Sequence, residues 1–158
     1  KHLPLEELFE LCKDYFPNKD QEEKIKKIIN LQKDRVKKLS EFRTNSKFFF
    51  ELPNYESSLL HWKNSPSDMT IKNLETVKNE FEKINNSDFV LANLKNIIDQ
   101  LVIESGTGEI YWPLRIALSG QNPSPPPLEI AEILGKEESI LRINQAISLL
   151  NNLELGMF

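Results

Sequence analysis

Apolar residues recur three and four positions apart along nearly the whole chain, and no series of strand-like segments accompanies them. That spacing follows the 3.6-residue turn of an α-helix and keeps one face available for a core. Ile71, Leu74, Val77, Phe81 and Ile84 form one such stripe. Leu91, Leu94, Ile97, Ile98, Leu101 and Val102 form the next, and Ile140, Ile143, Ile147 and Leu150 the last. Pro4 stands where a helix starts, ahead of Leu5, Leu8, Phe9, Cys12 and Phe16. Pro17-Asn18, Asn64 to Asp68 and Asn85-Asn86-Ser87 interrupt the stripes. The pattern predicts an all-α fold of roughly seven or eight helices.

Asp20 followed by Glu23 reads as a capping box. The helix it opens is expected to run about six turns, to Arg43-Thr44-Asn45. One side carries Ile25, Ile28, Ile29, Val36, Leu39 and Phe42; Lys26, Lys27, Lys33, Lys37 and Lys38 largely take the other. Phe48-Phe49-Phe50 falls outside any helical stripe and is expected to form an ordered loop filling a core gap. A brief helix is expected after Tyr55-Glu56. Ser87 or Asp88 is the expected cap of the helix carrying Leu91. Ser105-Gly106-Thr107-Gly108 reads as a turn; a lone Gly-x-Gly with no strand before it is not a phosphate loop. A helix from about Glu109 to Leu118 should close on Gly120, which suits a left-handed C-cap. Pro123-Ser124-Pro125-Pro126-Pro127 is a stiff extended loop leading to a short helix, Leu128 to Leu134. Two small helical subdomains are expected, 1–84 and 85–158.

At 158 residues the chain is long enough to bury a core without staples. Its single cysteine, Cys12, excludes an internal disulfide and reads as a small buried hydrophobe. His2 and His61 lack metal-ligand spacing, so no metal site is expected, nor any catalytic constellation. No apolar run suggests a membrane helix, and Lys1-His2-Leu3-Pro4 has no apolar signal region. The missing initiator Met leads us to expect a piece of a larger protein. The net charge of −4 is unevenly spread. Residues 19–47 hold 10 basic and 5 acidic residues; residues 104–158 hold 3 and 7. A phosphate backbone responds to such a local patch, although a lysine-rich helix is ordinarily just a solvated face.

From residue 113 the sequence becomes distinctive. Pro113-Leu114-Arg115-Ile116-Ala117-Leu118-Ser119-Gly120 is followed by the proline loop, by Leu128-Glu129-Ile130 and by Leu134-Gly135-Lys136-Glu137. This order is similar to the C-terminal signature of bacterial-type glutamyl-tRNA synthetases, with its Pro-Leu-Arg-x-Ala-Leu-Thr-Gly segment and Leu-Gly-Lys-Glu junction. Arg142-Ile143 and Ala146-Ile147 continue the match, and Arg35 to Phe42 resembles the family's Arg followed by Leu-x-Glu-Phe. The aromatic run at 48–50 and Tyr55 stand where that family has an aromatic loop.

The resemblance implies the helical anticodon-binding domain of a class I aminoacyl-tRNA synthetase, with tRNA for glutamate as its partner. It implies a cytoplasmic monomer that is the non-catalytic part of glutamate–tRNA ligase. The catalytic half's His-Ile-Gly-His-like and Lys-Met-Ser-Lys-Ser-like motifs do not occur here, so ATP and Mg are expected only in that other half. Arg35 matches an arginine that reads the third anticodon base. A guanidinium donates to cytosine's acceptors and meets guanine's donor edge badly. Arg115 matches an arginine near the anticodon loop. Ser124, Pro125 and Pro127 match the loop that packs on the other two bases, as single-stranded RNA recognition requires. Ser124 replaces a Thr and keeps its hydroxyl. Pro126 and Pro127 stand where some members have Gly and Leu, and they remove the backbone N–H donors at those positions. Trp62 and Trp112 read as core rather than as stacking platforms. The competing expectation is a helical protein-interaction module with no RNA role.

Overall fold

The computed structural model describes residues 3–18 and 20–154; Lys1, His2, Lys19 and residues 155–158 lie outside this range. Every regular element among the described residues is helical, and no described helix is long and apolar enough to cross a membrane. The chain forms two compact units, Lys1–Leu52 and Pro53–Phe158.

In the first unit, α1 (Leu5–Cys12) packs on α2 (Glu22–Gln32). Leu8, Phe9 and Cys12 of α1 and Ile25, Ile28 and Ile29 of α2 are all buried. Each such side chain contributes roughly 1.5–3 kcal/mol by leaving water. The Phe48-Phe49-Phe50 run does fill the core. Phe48 and Phe49 are buried with ring centroids 4.3 Å apart, and Phe50 meets Phe16 edge-on at 6.1 Å. Lys26 is bound by Glu6 of α1 at 2.7 Å and Glu22 at 2.6 Å. Lys24 donates to the Phe49 carbonyl at 2.9 Å and lies over the Phe50 ring. Lys26 of the expected basic face and its neighbour Lys24 therefore tie this unit together.

The long helix expected from Asp20 to Asn45 is two helices. α2 ends at Gln32, residues 33–40 form turns, and α3 covers Glu41–Asn45. The buried amide of Gln32 donates to the Asn45 carbonyl at 2.8 Å, which requires the chain to double back between them. Phe42 thereby enters the core from its own helix, while Leu39 remains exposed. The capping box does not form either. Gln21 is the N-cap of α2, without a side-chain bond, because the Asn18 carbonyl has already turned the chain through the Gln21 N–H.

In the second unit, a 3-10 turn at Ser57–Leu60 precedes α4 (Ser67–Glu82). α5 (Leu91–Ser105), α6 (Thr107–Ser119), α7 (Pro127–Leu134) and α8 (Lys136–Glu154) follow. The division falls at 52/53 and not at 84/85 because α4 packs along α8 and α6. Asn85-Asn86-Ser87 is a turn inside the unit. Val90, not Ser87 or Asp88, is the N-cap of α5, and the Leu91 N–H donates to the Glu132 carboxylate of α7 at 2.8 Å. A carboxylate reaching from another helix does the work expected of a local cap.

α6 touches α4, α5, α7 and α8, and buries Ile110, Pro113, Leu114, Ile116, Ala117, Leu118 and Ser119. It begins two residues earlier than expected, after Gly106. Gly108 packs against the Trp62 indole, where a Cβ would overlap the ring. Trp62 and Trp112 are half-buried, with centroids 5.9 Å apart, and Trp112 Nε1 donates to the Leu59 carbonyl at 2.8 Å. Pro113 lies within α6 and has no N–H for the Glu109 carbonyl. The buried Asn73 of α4 fills that role, its Nδ2 donating at 3.4 Å. One helix thus compensates for a proline in another.

Candidate functional site

Arg35 lies in the turn that follows α2, with its N–H donating to the Gln32 carbonyl at 2.8 Å and its side chain exposed. Lys37 and Lys38 are exposed in the same segment, and Lys33 is half-buried. The helix break converts what reads as a stripe along a helix into a short basic turn displayed to solvent. The Glu41 carboxylate accepts the Lys37 N–H at 2.8 Å and fixes the exit of that turn. Nothing in the sequence marks the break, because residues 33–40 contain neither Gly nor Pro.

The other expected residues belong to the second unit, where the structure brings three of them together. Arg115, half-buried on the last two turns of α6, directs Nη1 at the loop that follows. That nitrogen lies 2.8 Å from the Ser124 carbonyl, 2.8 Å from Ser124 Oγ and 3.1 Å from the Pro125 carbonyl. Charge-assisted bonds of this kind are about twice as strong as neutral ones. Ser124, Pro125 and Pro127 are buried, whereas Pro123 and Pro126 are exposed. Pro127 is the first residue of α7, a position where its missing N–H costs nothing.

Residues around this corner hold it in place. Gly120 adopts φ +71° as expected, and its surroundings leave no room for a side chain, since a Cβ would lie 2.5 Å from that of Pro53. Ser119 Oγ donates toward the Arg115 carbonyl at 2.8 Å and accepts from the Gln121 N–H at 3.2 Å. Arg142 of α8 is buried; its Nη1 donates to the Leu118 carbonyl at 2.6 Å and its Nε to Glu138 at 2.8 Å. A cation at the end of α6 satisfies a terminal carbonyl and favours the negative pole of the helix. Burial pulls the Arg142 pKa below its ordinary value, and the Glu138 hydrogen bond opposes that pull.

Beside the proline corner is a cleft of about 300 Å³ between Leu91 and Lys95 of α5, Tyr111 of α6 and residues 126–129. Sequence reasoning missed Lys95 and Tyr111 and quoted Glu129 only within the signature, since three separate helices contribute them and no spacing links them. In the first unit a cleft of about 550 Å³ is lined by Tyr15, Phe16, Arg43 and Lys47 among others, with the Arg43 guanidinium 5.6 Å from the Tyr15 ring centroid.

Residues 7–147 match the family described as "Anticodon binding domain". The chain belongs to the anticodon-binding domain family. The anticodon-binding domain is 34% identical to part of the glutamate–tRNA ligase of Clostridium kluyveri, covering 99% of this chain and 33% of that protein. It is 35% identical to the Clostridium acetobutylicum glutamate–tRNA ligase, over 93% of this chain and 31% of that protein. The crystal structure of a glutamate tRNA ligase from Elizabethkingia meningosepticum superposes with a TM-score of 0.74 at 27% identity, covering 92% of this chain and 29% of that one. This anticodon-binding domain thus spans about a third of the length of the curated relatives it matches. The matched region takes in the basic turn of the first unit and the proline corner of the second.

Proposed function

We propose that this chain binds the anticodon loop of tRNA for glutamate, as the non-catalytic part of a glutamate–tRNA ligase. One observation carries the reading. The region matched to the anticodon-binding family contains both Arg35, exposed on a basic turn, and the corner where Arg115 holds Ser124 and Pro125. Arg35 reads the third anticodon base through its donor fork. Arg115 and Ser124 shape the loop from behind, and Pro127 walls the neighbouring cleft, so contact with the remaining bases falls to the surface those residues build. ATP and Mg belong to the catalytic half of the ligase, which acts in the cytoplasm as a monomer.

The test is filter binding of unmodified glutamate and glutamine tRNAs, whose anticodons differ at the third base. The protein should prefer glutamate tRNA. Arg35→Gln should erase most of that preference, on the order of tenfold if one good base contact is lost. Folding stability should change by no more than about 0.5 kcal/mol, as expected of an exposed position. Equal weak binding of both tRNAs by the wild type would favour a protein-interaction module. Undiminished preference in Arg35→Gln would assign the reading to another residue.

A further inference from the structure

We propose that Gln32 is a positioning residue for base recognition: its buried side chain ties the end of α2 to the end of α3 and so fixes the turn that presents Arg35. The inference rests on the proposed reading of the third anticodon base by Arg35, and it names what gives that reading its geometry.

Position 32 is an unexpected place for an amide. Ile25, Ile28, Ile29 and Gln32 share one face of α2 at the spacing of a helical stripe, and none is more than 1% exposed. An apolar side chain would fill that place with no partner to find, whereas a buried amide costs free energy unless it is hydrogen-bonded. Gln32 Nε2 donates to the carbonyl of Asn45, the last residue of α3, at 2.8 Å.

The same residue also holds Arg35 directly. The Gln32 carbonyl accepts the Arg35 N–H at 2.8 Å, so the main chain of residue 32 meets the arginine while its side chain meets α3. From the other side the Glu41 carboxylate of α3 accepts the Lys37 N–H at 2.8 Å. The segment is pinned just before and just after Arg35, and both pins depend on how far apart α2 and α3 stand. The Gln32–Asn45 bond sets that separation. An exposed arginine has a long flexible side chain, and it tells one base edge from another only when the backbone beneath it is held still. Loss of the Gln32 donor frees α3 to shift and spreads the guanidinium over more positions. Attraction to phosphates survives such a shift, because a charge acts at a distance; a base-edge hydrogen bond does not. The loss therefore falls on discrimination and not on general RNA affinity.

The experiment is filter binding of unmodified glutamate and glutamine tRNAs by wild type and variants. Gln32→Met removes the donor at similar length, and Gln32→Asn leaves an amide that falls one methylene short. Ile25→Val loosens the same core two turns away and controls for lost stability. Circular dichroism and thermal melts check that each variant is folded. Both Gln32 variants should lower the preference for glutamate tRNA by about threefold or more, within the roughly tenfold that one base contact supplies. They should do so by weaker binding of glutamate tRNA at unchanged affinity for glutamine tRNA. Amide exchange at Arg35 and Lys37 should quicken. Ile25→Val should keep the wild-type preference, and Gln32→Met should remove nothing further in an Arg35→Gln background. Gln32 variants that keep the wild-type preference, or that weaken for both tRNAs by one factor, would overturn the positioning role and leave the Arg35 reading in place. An equal loss of preference in Ile25→Val would do the same. An Arg35→Gln protein that still prefers glutamate tRNA would remove the Arg35 reading, and the role of Gln32 with it.

Discussion

The Arg115 guanidinium meets two carbonyls and a hydroxyl of its own chain through a single nitrogen. A side chain placed this way acts on the loop before any RNA arrives. Replacing Arg115 by Ala should lower stability by about 1.5–3 kcal/mol, the range for hydrogen bonds to a charged group. Amide exchange across residues 120–125 should quicken in the free protein. Arg115→Lys should recover only part of the loss, because an ammonium lacks the planar fork. Unchanged exchange in Arg115→Ala would show that the loop holds its path unaided. At this scale the sequence was an uneven guide. It marked Arg115 and Ser124 separately, each through its place in the signature. It did not show that they bond to each other, because the direction of the Ser124 and Pro125 carbonyls depends on the path of the loop. Arg35 is the opposite case: its exposure follows from a basic surrounding, and its setting on a turn does not.

Helices with strong stripes and terminal Gly or Pro residues were legible as elements: α1, α4, α5, α7 and α8 all lie where apolar spacing puts them. The break between α2 and α3 was not, since Val36, Leu39 and Phe42 continue the helical spacing and no breaker intervenes. What ends α2 is a distant acceptor, the Asn45 carbonyl, drawing the buried Gln32 amide. The α5 cap was misplaced for a similar reason, its Leu91 N–H being satisfied from α7. Interactions between elements thus override local signals at element ends. The Pro113 and Asn73 pair offers a direct measurement of such an interaction. Asn73→Leu strands the Glu109 carbonyl and should cost about 1–3 kcal/mol. In a Pro113→Ala background the new N–H can serve that carbonyl, and the same substitution should cost about 1 kcal/mol less. Urea midpoints of the four proteins decide this; additive effects would mean that the 3.4 Å contact contributes nothing.

For the whole molecule, the chain divides into compact units at 52/53, whereas the sequence suggested a boundary at 84/85. Asn85-Asn86-Ser87 is a louder breaker than Leu52-Pro53, yet it only turns the chain between helices packed in one core. Residues 53–158 carry that core complete, and should melt cooperatively when expressed alone. Residues 1–52 form a body so small that burial barely offsets chain entropy, and alone they should show little helix by circular dichroism. A non-cooperative 53–158 fragment would show that the larger core needs the smaller one. The same division separates charge. Residues 1–52 carry 12 basic and 10 acidic side chains, and residues 53–158 carry 8 and 14, for nets of +2 and −6. A polyanion is drawn toward the first body and pushed from the second, and dissolved ions screen both effects. RNA binding should therefore weaken less steeply with ionic strength than the lysines of the first body suggest, where each phosphate contact on a single strand adds about 0.7 to the logarithmic slope. Arg35→Gln should flatten the slope further, whereas Arg115→Ala should reduce affinity by nearly the same factor at every ionic strength. The proline corner thus operates against its own long-range field, and only contacts at close range, packing and hydrogen bonds, can hold a ligand there.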